Sequence, residues 1–173
     1  TLMQRATLLV HDYLIRGQVS SFGWAFLVIS VLMAFFLRSI RLAALAMLPN
    51  LIPIVLGLAF MELVGITLSL GTVMVGSVAT GLVVDNTIHF LTRLRAHRVP
   101  FEEAMERAMQ DTGRPIFLTT AILAAGFGIL CLGSFAPSIN FGLVSAVVTI
   151  LSLLGNVLLL PALLLLLRPR VAA

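Results

Sequence analysis

The chain has 173 residues, 60% of them hydrophobic and only 10% charged, with a mean hydropathy of +1.14. Soluble domains carry roughly 45–50% apolar and about 25% charged residues, and a small domain has too much surface for its volume to hide such an excess from water. The composition excludes a water-soluble globular domain and names lipid as the solvent. The net charge of +4 does not indicate nucleic acid, because all eleven basic residues are Arg and most sit at the ends of apolar runs rather than in a stripe. Cys131, the single cysteine, lies within an apolar run and reads as a small hydrophobe.

From Thr1 to Arg16, Met3, Ala6, Val10 and Leu14 recur at helical spacing with Gln4, Arg5, His11, Asp12 and Arg16 on other faces. Residues 1–19 are therefore expected to form an amphipathic helix, too polar to span, with Gly17 as its stop and Ser20 or Ser21 capping the next helix. A chain that opens on Thr1 without a signal-peptide pattern reads as a piece of a longer protein, and this helix as a link from an upstream domain.

Five apolar runs come next, at about 21–37, 42–61, 67–91, 115–132 and 141–167, and together they define a transmembrane domain over 20–168 with a tail at 169–173. Each meets the roughly 17–25 residues needed to cross a ~30 Å hydrocarbon core. The fold class expected is an all-α membrane protein of five transmembrane helices. If the runs alternate in direction, Arg38, Arg41, Arg93, Arg95, Arg98, Arg107, Arg114, Arg168 and Arg170 share one side, and only Arg5 and Arg16 take the other. Nine against two predicts a cytoplasmic C-terminus and an extracytoplasmic N-terminus. The loop 93–114 has helical features of its own: Pro100 at a helix start, Glu102 and Glu103 in the first turn, Gly113 as the stop, and an apolar stripe of Phe101, Ala104, Met105, Ala108 and Met109.

The one acid inside a run is Asp85, eight residues before Arg93 and so about 12 Å from that helix end. A carboxylate at the centre of a spanning helix costs about 2.5–3.5 kcal/mol, and such acids usually face a bundle interior along an ion or proton pathway. Ser77, Gly81, Asp85 and His89 are each four apart, so they form one stripe that presents two titratable groups toward a neighbour. Thr119 and Thr120 lie about 8–9 Å into the next run, at a depth close to that of Asp85. A threonine hydroxyl both donates and accepts, so either can serve a carboxyl group in both protonation states. Pro49, Asn50 and Pro53 mark a helix kink in the second run, with Asn50 near the depth of Asp85. Gly142, Ser145, Thr149, Ser152 and Asn156 form a small and polar seam on the fifth, which helix packing explains. No P-loop, zinc-ligand cluster or nucleophile motif is present, so neither an enzyme nor a metal or cofactor is expected.

The order of these features is similar to one half of a transporter of the RND superfamily, in its MMPL-like or predicted-exporter branch. The similarity runs from Ser20 to Arg168 through the Arg38 and Arg41 pair, the Pro49–Pro53 segment, GLVVDNTIHF (Gly81–Phe90), RPIFLTT (Arg114–Thr120), AGF (Ala125–Phe127), SFAPSINFG (Ser134–Gly142) and LLPALLLL (Leu159–Leu166). The resemblance implies the last five helices of a six-helix unit, a fold shared with sterol-sensing domains. It implies a multi-pass protein of the bacterial inner membrane, driven by protons. Its partners would be the bilayer, the N-terminal half and porter domains of the same protein, and a hydrophobic or lipid-like substrate, with a homo-oligomer also open. The family's aspartate maps onto Asp85, and the next position, often a second Asp or a Tyr, is Asn86 here, a departure that leaves one ionisable group where some relatives have two; the proton relay expected is Asp85, His89, Asn86, Thr119 and Thr120. Thr112 stands where the drug-efflux branch often has Arg, which places lipid-like cargo ahead of drugs. A lipid-sensing module and a proton-coupled subunit of the protein-export translocon are the alternatives.

Overall fold

A computed structural model describes residues 2–67, 70–97 and 99–167 of the chain. Every element in it is a helix: α1 (Leu2–Phe36), α2 (Ile40–Val64), α3 (Leu70–Ala96), α4 (Phe101–Leu130) and α5 (Ala136–Leu154), then a π-helical turn (Gly155–Leu159) that continues into α6 (Leu160–Leu167). Lipid offers backbone groups no hydrogen bonds, so each apolar stretch closes its own ladder. Among the described residues, four stretches are long and apolar enough to cross a membrane: Leu42–Val64, Met74–Ala96, Phe101–Leu130 and Ala136–Leu166. Ser20–Phe36 is apolar but shorter.

Two expected breaks do not occur. α1 runs unbroken through Gly17, Ser20 and Ser21, so the stop at Gly17 is overturned. A helical glycine costs only about 1 kcal/mol relative to alanine, so a single one does not end a helix by itself. The amphipathic pattern expected over 1–16 rests largely on side chains outside the described set. Likewise, 99–113 is not a separate surface helix: α4 passes through Gly113 and Pro115 in a single run. Pro115 removes one ladder bond, but Ala104, Ala108, Thr112, Ile116 and Thr120 are all buried at intervals of four residues, and this continuous face holds the helix together. The tail 169–173, with Arg168, lies outside the described residues.

The boundaries of α2 move outward by a few residues, from 42–61 to Ile40–Val64. α2 begins on Ser39, whose hydroxyl accepts from the Leu42 amide at 3.4 Å, and ends on Gly65 in the left-handed region at φ 71°. The turn before α2 places Arg38 at φ 43°, and the Arg95 guanidinium of α3 donates to the Leu37 carbonyl of that turn. Pro137 opens α5 at its first turn, so the loop expected at 133–140 contracts toward Phe135.

α5 packs against α2, α3 and α4, and α3 is held by α1, α2, α4 and α5. Two apolar clusters form the core. One gathers Met33, Leu42, Ala46, Phe90, Leu94, Ala108 and Leu164, and the other Ile54, Met61, Val75, Val144 and Val148. Polarity is inverted relative to a soluble fold. Leu63, Leu132 and Leu166 are among many exposed apolar side chains, while Asn50, Thr87, Ser145, Thr149, Ser152 and Asn156 are buried. The predicted seam of α5 is therefore an internal packing face. Gly142 sets its distance to α4, because a Cβ there would lie 2.5 Å from the Phe127 carbonyl oxygen.

Candidate functional site

α3 carries polar groups on two opposite faces. Residues 85 and 87 are about 200° apart around a helix, so Asp85 and Thr87 point away from each other.

The outward face holds the sequence-predicted stripe. Ser77, Gly81, Asp85 and His89 are all exposed, and Asp85 Oδ1 lies 3.5 Å from His89 Nε2 with both side chains 71% exposed. The expectation that Asp85 faces the interior of the five-run bundle is thus corrected: within this chain the pair looks outward. The cause is the helical period, which buries Val83, Val84, Thr87, Phe90, Leu91 and Leu94 and leaves positions 81, 85 and 89 on the far side. Asn86 is half-buried beside them. The structure does not join the acid to the two threonines. Thr119 is exposed and its hydroxyl donates within its own helix, to the carbonyl of either Pro115 at 3.0 Å or Ile116 at 3.1 Å. Thr120 is buried on α4 and shares no hydrogen bond with Asp85. Thr119 instead follows the ordinary habit of a helical threonine, bonding back along its own turn.

The inward face holds a neutral node that joins Asn50 and Asn156, both visible in the sequence, through Thr87, which the sequence does not single out. Thr87 Oγ1 lies 2.6 Å from Asn50 Oδ1 of α2 and 2.6 Å from Asn156 Oδ1 of the π turn. All three residues are at most 2% exposed. The Asn156 amide nitrogen donates to the Ser152 carbonyl at 3.1 Å and the Val83 carbonyl at 3.4 Å, which fixes its oxygen toward Thr87. A hydroxyl has one proton, so it cannot donate to both amide oxygens. The node closes when Asn50 turns its NH2 toward Thr87, a choice its other contact, Met47 Sδ at 3.9 Å, leaves open. Asn50 thus meets α3 two residues along from Asp85, but its partner is Thr87, on the opposite face. Pro49 and Pro53 are both inside α2 and buried. The missing N–H of Pro53 frees the Pro49 carbonyl, which faces Gly155: a Cβ on Gly155 would lie 3.1 Å from that oxygen. The α2 prolines and the π turn are thus fitted to each other. Asn50 beside its prolines and Asn156 in the polar seam are legible in the sequence; Thr87 has only the signal of Thr80, a polar residue seven positions away on the buried side of α3.

Among the described residues no group of three or more His, Cys, Asp or Glu is placed to hold a metal ion. No protein-family model matches the chain. A protein of Methanocaldococcus jannaschii, whose name proposes a membrane protein and nothing further, is 30% identical over 138 residues. The match covers 78% of this chain and 36% of that relative, so the chain spans about a third of the relative's length. Apolar helices in the structure and a membrane relative agree on a multi-pass membrane protein.

Proposed function

We propose that this chain is the membrane-embedded, proton-coupled part of an RND-type exporter of hydrophobic or lipid-like cargo, in the MMPL-like branch, seated in a bacterial inner membrane. Asp85 is the group that binds and releases the proton, and His89 is its relay toward the Arg93 end of α3. One observation carries this reading: a carboxylate and an imidazole, 3.5 Å apart, stand on the outward face of a spanning helix. Lipid cannot solvate such a pair, so another helix or a hydrated path covers it, and intramembrane acids held that way commonly conduct protons. In this reading the end of α1, Ser20–Phe36, is a fifth crossing. Nine of eleven arginines on one side then favour a cytoplasmic C-terminus.

Protonation removes a charge that is costly in hydrocarbon, so the two states of Asp85 favour different packing of α3 against whatever covers it. The transmembrane potential supplies about 2.3 kcal/mol per charge for each 100 mV. α3 passes the change to α2 and the π turn through Thr87, and from there to the parts of a longer protein that move cargo. The test is gradient-driven transport by full-length protein in proteoliposomes. Asp85→Asn keeps the volume and removes the titration; transport should fall to background while assembly is retained, and His89→Ala should only slow it. Undiminished transport by Asp85→Asn would make the acid structural and favour a lipid-sensing module.

A further inference from the structure

The turn between α1 and α2 carries positive charge that no acid answers. Arg38 stands in it at φ 43°, and Arg95 of α3 donates its guanidinium to the Leu37 carbonyl one residue earlier. No Asp or Glu occurs in the sequence between Asp12 and Glu62. The acids of α4 are engaged elsewhere, Glu103 by Arg107 and Asp111 by His97, and among the described residues neither Arg38 nor Arg95 pairs with a carboxylate. A left-handed backbone favours glycine, so the guanidinium stands at this position in spite of the strain. Its side chain lines an open cavity of about 470 Å³ together with Ala34, Phe35 and Phe36. Both rings are exposed and meet edge to face, with centroids 6.2 Å apart. Leu27, Val31 and Phe35 follow at intervals of four and are each more than half exposed, so an apolar rail about 12 Å long runs along α1 to the cavity.

We propose that this cavity holds an anionic phospholipid of the phosphatidylglycerol class, with its phosphodiester against the Arg38 guanidinium and one acyl chain along the rail. The inference takes Ser20–Phe36 as a crossing and does not depend on the proton reading of Asp85. The two chemistries of the site select the occupant together. A guanidinium recognises phosphate through its fork of N–H donors. Inorganic phosphate shares that chemistry but covers none of the exposed Phe and Val surface, whereas a lipid does both. An acidic protein segment would have to satisfy its own backbone beside hydrocarbon to reach the rings. Net charge then decides among lipids. Phosphatidylcholine brings a cation of its own to a turn that already holds Arg38 and Arg95, and an anionic headgroup neutralises them instead. The Arg95 bond ties the turn to α3, so the headgroup sits where α1, α2 and α3 meet.

The test is native mass spectrometry of the full-length protein in mild detergent, equilibrated with phosphatidylglycerol or with phosphatidylcholine of the same acyl chains. Wild type should retain phosphatidylglycerol about fivefold more strongly, the effect of one basic residue near an anionic headgroup. Arg38→Gln should bring the two lipids level, and Arg38→Lys should keep most of the preference. Arg38→Gly removes the charge while relieving the left-handed backbone. It should lose the preference with no fall in the lipid-free unfolding midpoint, which separates a lost ligand from a lost fold. Arg107→Gln, at an arginine that already has a carboxylate partner, should leave the preference as it is. Equal retention of both lipids by wild type, an undiminished preference in Arg38→Gln and Arg38→Gly, or an equal loss in Arg107→Gln would overturn the proposal. So would displacement of phosphatidylglycerol by inorganic phosphate, which would mark a free-anion site. Transport by Asp85→Asn is a separate measurement, so failure of the lipid site and failure of the proton reading are told apart.

Discussion

Thr87 serves two asparagines with one hydroxyl, at 2.6 Å each, and all three side chains are buried. Thr87→Val keeps the shape and removes the hydrogen bonds, leaving the Asn50 and Asn156 amides short of a partner. Interhelical hydrogen bonds in membranes average about 0.6 kcal/mol and reach about 1.7. The buried and double-sided position of Thr87 places it at the upper end. The substitution should lower the unfolding midpoint in mixed detergent, whereas Thr119→Val, whose hydroxyl bonds only along its own helix, should leave it unchanged. At this scale the sequence is readable where charge stands out: one acid in a run and a histidine four residues on, and these two are in fact paired. It is less readable for neutral polar groups. A threonine in a helix gives the same signal whether it bonds back to its own turn or across to a neighbour, so Thr119 and Thr120 stand out in the sequence as readily as Thr87.

At the level of elements, single helix breakers are weak guides in this chain. Gly17, Gly113 and Pro115 all lie inside helices, and on α4 a continuous buried face outweighs one poor local residue. The π turn has no visible forerunner. It depends on the Pro49 carbonyl and on Gly155, which are 106 positions apart in sequence, and periodicity along one segment cannot report such a fit. Glycine does mark close approach at Gly142, within the predicted seam. Gly142→Leu would drive a side chain into the Phe127 carbonyl and the Leu130 Cβ, so α4 and α5 must separate. Overpacking of this kind costs about 1–3 kcal/mol. Gly126→Leu on α4, where a Cβ would meet nothing within 4 Å, is the matched control and should be near neutral in the same unfolding assay.

For the whole molecule, the all-helical class and the positions of the long apolar stretches are legible, because lipid imposes length and hydropathy on every crossing. Which way the bundle sits is a question that charge answers and packing does not. A reporter fused at the Arg98–Val99 junction should read cytoplasmic, and one inserted within 134–138 should read outside; a cytoplasmic signal from the second site would require an odd number of crossings between an extracytoplasmic N-terminus and α5. α4 bears on how such an arrangement would work. Its 30 residues make a rod about 45 Å long, against a hydrocarbon layer of about 30 Å. Roughly 15 Å of it therefore stands clear of the acyl chains at one end, in rigid continuity with the buried part. That end bears Glu103 and Arg107, paired at 2.5 Å, and Asp111, held 3.1 Å from His97 on the α3 side. Stiffness turns angle into distance: a tilt of about 10° within the bilayer sweeps the free tip sideways by about 2–3 Å, enough to exchange one set of aqueous contacts for another. The arm is thus geared to the bundle, and a force applied to it from the water side would be felt by the helices as readily as it reports on them.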